Sequence, residues 1–132
     1  MARQRQPSDA DYERLLELRT GLRRFLKWSG DRAIAAGLTP AQHQLLLAVR
    51  GHPGDAPPTM GQLAEHLLLR HHSTVQLVDR AEAAGLLTRA RDDVDHRVVH
   101  VVLTGTGEQV LASLAREHME ELRRIGASFA DL

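Results

Sequence analysis

Residues 89–102 read RARDDVDHRVVHVV and gather arginine, aspartate and histidine between two strand-like stretches. The flanks LLTRAR and RVVHVVLT alternate or are β-branched, so they read as a two-stranded hairpin around an acidic tip. Tight hairpins usually turn on Asn-Gly or Asp-Gly, and this one has no glycine. The plain reading is a solvated turn with incidental ion pairs. The other is a tip that presents charge to a partner. Asp92 and Asp93 would repel phosphates, so they are expected to cap the turn or pair with Arg89 and Arg91.

Other chemistry finds little to work with. GTG at 105–107 lacks the third glycine and the context of a dinucleotide loop, and there is no GKS/T loop. Ser73 has histidines beside it but no third group to orient them, and a cysteine nucleophile is absent. The histidine spacings also argue against a metal, which needs three or four converging ligands. His66 and His71 are five apart across a turn, His96 and His100 four apart in a hairpin, and His118 stands alone. The sequence therefore predicts neither an enzyme nor a cofactor, and leaves a metal-responsive protein as a minor alternative.

The elements that must carry the hairpin follow from composition and periodicity. At 132 residues the chain is expected to be one domain, with 42% hydrophobic and 26% charged residues. Its four aromatics are Tyr12, Phe25, Trp28 and Phe129, so Leu, Val and Ala must build the core, which favours helices. No cysteine is available for disulfides or thiolate metal sites, which suits a reducing compartment. The polar start MARQRQPSDA has no signal-peptide core and no membrane-spanning run occurs, so a cytoplasmic location is expected. Seventeen basic and seventeen acidic residues give a formal net charge of zero, which counts against nucleic-acid binding.

Residues 1–8 read as a flexible arm carrying Arg3 and Arg5. A long helix over 9–36 follows a Ser8 or Asp9 cap, with a wide apolar surface through Tyr12, Leu15, Leu16, Leu18, Leu22, Phe25 and Leu26. Thr39-Pro40 opens a second helix to Gly51 with Leu45, Leu46 and Val49 inward. After the loop HPGDAPP, Thr59 caps a short helix whose face is Met60, Leu63, Ala64 and Leu67. HHSTVQLVDRAEAAG then forms a helix that buries Thr74, Leu77, Val78 and Ala81 and exposes His72, Ser73, Gln76, Asp79 and Arg80. The hairpin follows, and Thr104 or Thr106 caps a last helix with a seam of Leu111, Leu114, His118, Leu122, Ile125 and Phe129.

Two helices joined by a short turn, the second exposing small polar side chains at its start, describe a helix-turn-helix, and the hairpin makes it winged. The segments LAEHL (63–67), HHSTVQLVDRAEAAGLLTR (71–89) and DHRVVHVVLTGTG (95–107) resemble the MarR family of bacterial transcriptional regulators, as does GLTPAQHQLLLAV (37–49). The most specific part is an Asp-x-Arg wing followed by a strand, Leu-Thr and a glycine. The resemblance implies a mainly α (α+β) fold: a winged helix-turn-helix at 39–103 with a two-stranded wing, between long dimerisation helices at 9–36 and 105–132. It further implies a homodimer on a double-stranded DNA operator, most simply a repressor relieved by a small aromatic or anionic ligand.

By that resemblance Arg97 is the wing arginine that enters the minor groove and Asp95 the acid that steadies it. A narrow minor groove concentrates negative potential and attracts an inserted guanidinium. His72, Ser73 and Gln76 fall where a docked helix meets base edges, and Gln pairs bidentately with adenine. His71 and His72 depart from the serine and arginine common here, and His71 reads equally as a capping or packing residue. Arg80 is expected on a phosphate or on Asp79, with Arg70 and Arg89 as flanking phosphate anchors. From His66 to His100 five arginines meet five acids, so even this segment is formally neutral. Phe25, Trp28, Arg32 and His43 are the ligand candidates, against core packing for the aromatics and a helical i,i+4 surface pair for Arg32. The terminal helices could instead cover only each other. A winged-helix module that binds protein rather than DNA is the competing class.

Overall fold

The computed structural model describes residues 4–130, with side chains through Gly126; Arg3, the Phe129 side chain and residues 131–132 lie outside the described residues. Seven elements follow in order: α1 (Asp9–Ala35), α2 (Pro40–Gly51), α3 (Met60–Leu67), α4 (His71–Ala83), β1 (Leu87–Arg91), β2 (Val99–Leu103) and α5 (Gly105–Ala130). Helix starts are set by short polar side chains. Ser8 with Asp11, Thr39 with Gln42 and Thr59 with Gln62 each form a reciprocal capping box, so two otherwise unsatisfied backbone groups are bonded at each start. Gly37 and Gly85, both at positive φ, close α1 and α4. None of the described helices is long and apolar enough to cross a membrane.

The core lies where α2, α3 and α4 meet the base of the hairpin. Leu45, Leu46, Leu63, Val78, Leu87 and Val101 are fully or almost fully buried there, and Leu111 and Leu114 of α5 close it from one side. The inward residues read from the sequence for α2 and for Thr74, Val78 and Ala81 of α4 are buried as expected. β1 and β2 pair antiparallel in the register Leu87↔Leu103 to Arg91↔Val99, which leaves 92–98 as the tip.

α1 behaves differently. It crosses α5 near its own C-terminal end, where Ser29 and Arg32 meet His118 and Glu117. Its earlier turns stay bare: Tyr12, Leu15, Leu16, Leu22 and Leu26 are exposed, as are Met119 and Leu122 on α5. The two long helices therefore cover each other only where they cross.

The joint between the α2–β2 body and α5 is tight. Thr104 Oγ1 donates to the Gly85 carbonyl at 2.6 Å and accepts the Gly107 N–H at 3.1 Å, making Thr104, rather than Thr106, the cap of α5. The Thr104 N–H donates to the Leu86 carbonyl at 3.1 Å. Gly107 sits against that carbonyl, so a Cβ added there would fall 2.0 Å from the Leu86 oxygen. Because backbone blocks the site, Gly107→Ala should destabilise the fold by about 1–3 kcal/mol or more. Urea unfolding checks this, and a midpoint equal to wild type would show that the joint is looser than described.

Candidate nucleic-acid interface

α4 presents its polar face because its apolar residues are spent on the core. Thr74 is fully buried and its hydroxyl donates to the Arg70 carbonyl at 3.0 Å, while His71, His72, Ser73, Gln76 and Arg80 stay exposed. Arg70, in extended conformation before α4, caps through no side-chain bond and is exposed too. The turn into α4 runs through Leu68, a non-glycine residue with φ of 55°. Between α4 and the wing lies a cleft of about 490 Å³, lined by His71, Val75, Arg89, Arg97, Val99 and the start of α3.

The wing tip is ordered by its own acids. Asp92 Oδ2 accepts the N–H groups of Val94 (3.0 Å) and Asp95 (2.9 Å), a local turn that replaces the missing glycine. Asp95 in turn accepts from the Arg97 N–H (3.1 Å), Nε (3.0 Å) and Nη2 (3.1 Å). The pairing of Asp95 with Arg97 read from the sequence is thus present, and Arg97 projects with its side chain 90% exposed. The Arg97 bonds hold the Asp95 carboxyl below the usual carboxylate range.

One expectation is corrected, and for Arg80 and Asp92 one of the two alternatives read from the sequence drops out, while Asp92 does cap the turn. Arg89 is not a free phosphate anchor: its guanidinium lies between Asp79 and Glu82 of α4 because β1 doubles back along that helix. Arg80 is consequently not paired with Asp79. Asp92 pairs with neither Arg89 nor Arg91; its Oδ1 accepts from His100 Nε2 at 2.9 Å. His100 also reaches the Pro57 carbonyl at 2.7 Å, a contact that sequence spacing could not show because it spans 43 positions.

The ligand candidates converge where α1, α2 and α5 meet. Phe25 and Trp28 stack at 6.0 Å, Trp28 and His43 each lie 4.8 Å from the His118 ring, and Ser29 Oγ is 2.7 Å from His118 Nε2. His118 Nδ1 lies 2.7 Å from the Leu114 carbonyl, which only accepts, so Nδ1 carries a proton; in the neutral ring Nε2 would accept from the Ser29 hydroxyl. Arg32 forms a bidentate pair with Glu117 across the helices, not an i,i+4 pair along α1. His43 is only 4% exposed and its Nδ1 has no partner among the described residues. Sequence reasoning missed Ser29 and Glu117 here, and placed His118 in an apolar seam.

This arrangement of three short helices, a two-stranded wing and long flanking helices defines a winged helix-turn-helix protein. The profile of the MarR family matches residues 36–98, from the end of α1 to the wing tip. It is 33% identical over 73 residues to the uncharacterized HTH-type transcriptional regulator YsmB of Bacillus subtilis (strain 168); the match takes in 55% of this chain and about half the length of that relative. Among solved structures, the MarR family transcription regulator SP03579 superposes with a TM-score of 0.78 at 22% identity, covering 91% of this chain and 78% of that one. A point mutant of S. aureus MepR bound to an oligodeoxyribonucleotide gives 0.69 at 18%, covering 88% and 82%. CouR of Rhodococcus jostii RHA1 bound to p-coumaroyl-CoA gives 0.73 at 20%, covering 90% and 81%. At these identities the structural likeness is one of fold.

The buried His43 carries a pH consequence. Burial, and secondarily the neighbouring His118, push its pKa below the ordinary histidine value. A histidine depressed in the folded state contributes stability that is present above about pH 6.5 and lost as pH falls toward the folded value. His43→Leu removes the orphaned nitrogen, so at neutral pH it should stay within about 1.5 kcal/mol of wild type, and it should lose less stability on acidification. Denaturant midpoints across pH check this; equal acid sensitivity in both proteins would remove His43 from the account.

Proposed function

We propose that this chain is a DNA-binding transcriptional regulator that acts in the cytoplasm as a homodimer, most simply a repressor released by a small ligand. The observation that carries the reading is the shared cleft: His71 at the start of the recognition helix and the exposed, carboxylate-held Arg97 of the wing line one concave surface. A duplex entering it would meet His72, Ser73 and Gln76 with its major groove and Arg97 with its minor groove. Pre-fixing the Arg97 rotamer reduces the entropy lost on docking.

Formal neutrality does not describe what this surface offers. Asp79 and Glu82 are taken up by Arg89, Asp95 by Arg97 and Asp92 by His100. Of the five arginines and five acids between His66 and His100, Arg70, Arg80 and Arg91 remain unpaired among the described residues, against Asp93 alone. That local excess favours DNA over the protein-binding module that the overall charge suggested. Among the described residues no three His, Asp or Glu side chains come together as a metal-ligand cluster.

The dimer reading rests on the bare apolar faces of α1 and α5, since a second copy would bury Tyr12, Leu15, Leu16, Leu22, Leu26 and Met119. Two heads on one operator also compensate for the modest affinity of one. The effector reading rests on the junction of Phe25, Trp28, Arg32 and His43, which links the long helices to the reading head. A small aromatic or anionic ligand there would meet stacking faces and a guanidinium that it would share with Glu117.

Selection of duplexes from a random pool, followed by anisotropy across a salt series, tests the proposal. Enriched sequences bound by two protomers with steeply salt-dependent affinity are expected. Arg97→Ala should weaken binding roughly 5- to 150-fold without unfolding, whereas Gln76→Ala should change preference among sequences. No enrichment at low salt would overturn the DNA reading.

A further inference from the structure

We propose that His100 is a positioning residue of the wing: as an imidazolium it ties the Asp92 carboxylate to the Pro57 carbonyl and so holds the tip from which Arg97 projects. The role in DNA binding rests on the reading of Arg97 above; the tie itself does not.

Donors and acceptors must match around the ring. His100 Nδ1 lies 2.7 Å from the Pro57 carbonyl oxygen and Nε2 lies 2.9 Å from Asp92 Oδ1. An ionised carboxylate and a backbone carbonyl only accept, and a neutral imidazole has one N–H. A neutral ring would set a lone pair against an oxygen on one side, so both contacts are satisfied only when both nitrogens carry protons. With its side chain 14% exposed, the ring has little water to substitute for a lost partner.

The tie then runs to the functional arginine through consecutive bonds. Asp92 fixes the backbone of Val94 and Asp95 through its second oxygen, and Asp95 fixes Arg97 through backbone and guanidinium. At the other end Pro57 belongs to the loop that leads into α3, where Thr59 bridges to His100 and the Pro58 carbonyl accepts the Val101 N–H at 2.9 Å. The wing tip is thereby attached to the body that carries the recognition helix.

The surrounding charges leave Asp92 in control. Of the groups on neighbouring elements, Arg89 of β1 is held by α4, and Arg50 of α2 pairs with Glu108 of α5. Asp55 of the loop, His66 of α3 and the tip residues Asp93, His96 and Arg97 exert no resolved effect on the ring. The Asp92 bond first, and then the Pro57 carbonyl, raise the His100 pKa, while the Asp95 N–H and His100 lower that of Asp92. A histidine raised in the folded state contributes stability fully present below about pH 6.5 and lost as pH rises through the folded value. The wing is therefore held most firmly below the ordinary histidine value and loosens as pH rises through the raised folded value.

Two arms test this. In the protein alone, imidazole resonances assigned with His100→Gln are followed by NMR over pH. His100 should titrate above about 6.5, the amides of Val94, Asp95 and Arg97 should shift with the same midpoint, and Asp92→Asn should bring that midpoint down. A His100 that titrates at or below the ordinary value, or amides that do not follow it, would overturn the tie. In the second arm, anisotropy with a duplex recovered by the selection above is measured over the same pH range. The readout is the difference between wild type and His100→Gln, which cancels what every other group contributes. Wild type should lose roughly two- to tenfold more affinity with rising pH, and this difference should vanish in an Arg97→Ala background. Identical pH profiles for folded wild type and His100→Gln would overturn the positioning role. Failure of every form to bind any duplex would instead remove the DNA reading, with the first arm still deciding the tie.

Discussion

The reading head depends on one close approach, that of Gly107 to the Leu86 carbonyl. At this point the end of α4, the base of both wing strands and the first turn of α5 meet within a few bonds. Thr104 binds Gly85 and Leu86 with its hydroxyl and N–H and caps α5 with the same hydroxyl. The absence of a Cβ at Gly107 lets α5 begin directly against this turn. The wing is consequently a lever anchored at its base to the recognition helix and to the long helix together. In the proposed regulator, a change in how α5 sits at the junction with α1 and α2 would have a short rigid path to both proposed DNA contacts, giving the proposed ligand a physical means of action.

Electrostatics on the head are arranged by pairing rather than by excess. Arg89 silences two acids of α4, Asp95 steadies the projecting Arg97, and Asp92 is used twice, as turn-former and as partner of His100. Of the two acids that seemed to repel a phosphate backbone, Asp92 instead helps to hold a proposed contact in place. Exposed pairs of this kind add little to stability, and their value lies in fixing where the guanidinium points.

Much of this was legible in the sequence because its signals are local. Threonine caps at Thr39 and Thr59, glycines after α1 and α4, inward leucines of α2 and the β-branched run of β2 each fix an element within a few residues. The Asp95–Arg97 pair was legible for the same reason, being two positions apart. Partnerships formed by the fold were not. Arg89 looked like a surface anchor until β1 folded back along α4, Arg32 found Glu117 on a helix 85 positions away, and His100 found Pro57. His118 looked like a filler of an apolar seam, because only the meeting of α1, α2 and α5 brings Ser29 and His43 to it.

In the proposed complex the wing tip enters the minor groove while α4 lies in the major groove, and every other functional reading follows from that placement. The chain lacks cysteine, so Val94→Cys, at a tip position 95% exposed, gives a unique attachment point for iron–EDTA. Cleavage of a selected duplex by this conjugate tests the placement most directly. The account predicts two symmetric clusters of cuts, each offset across the two strands in the pattern of minor-groove attack. Binding retained with no cuts above free reagent, or with cuts in the pattern of the major groove, would contradict it.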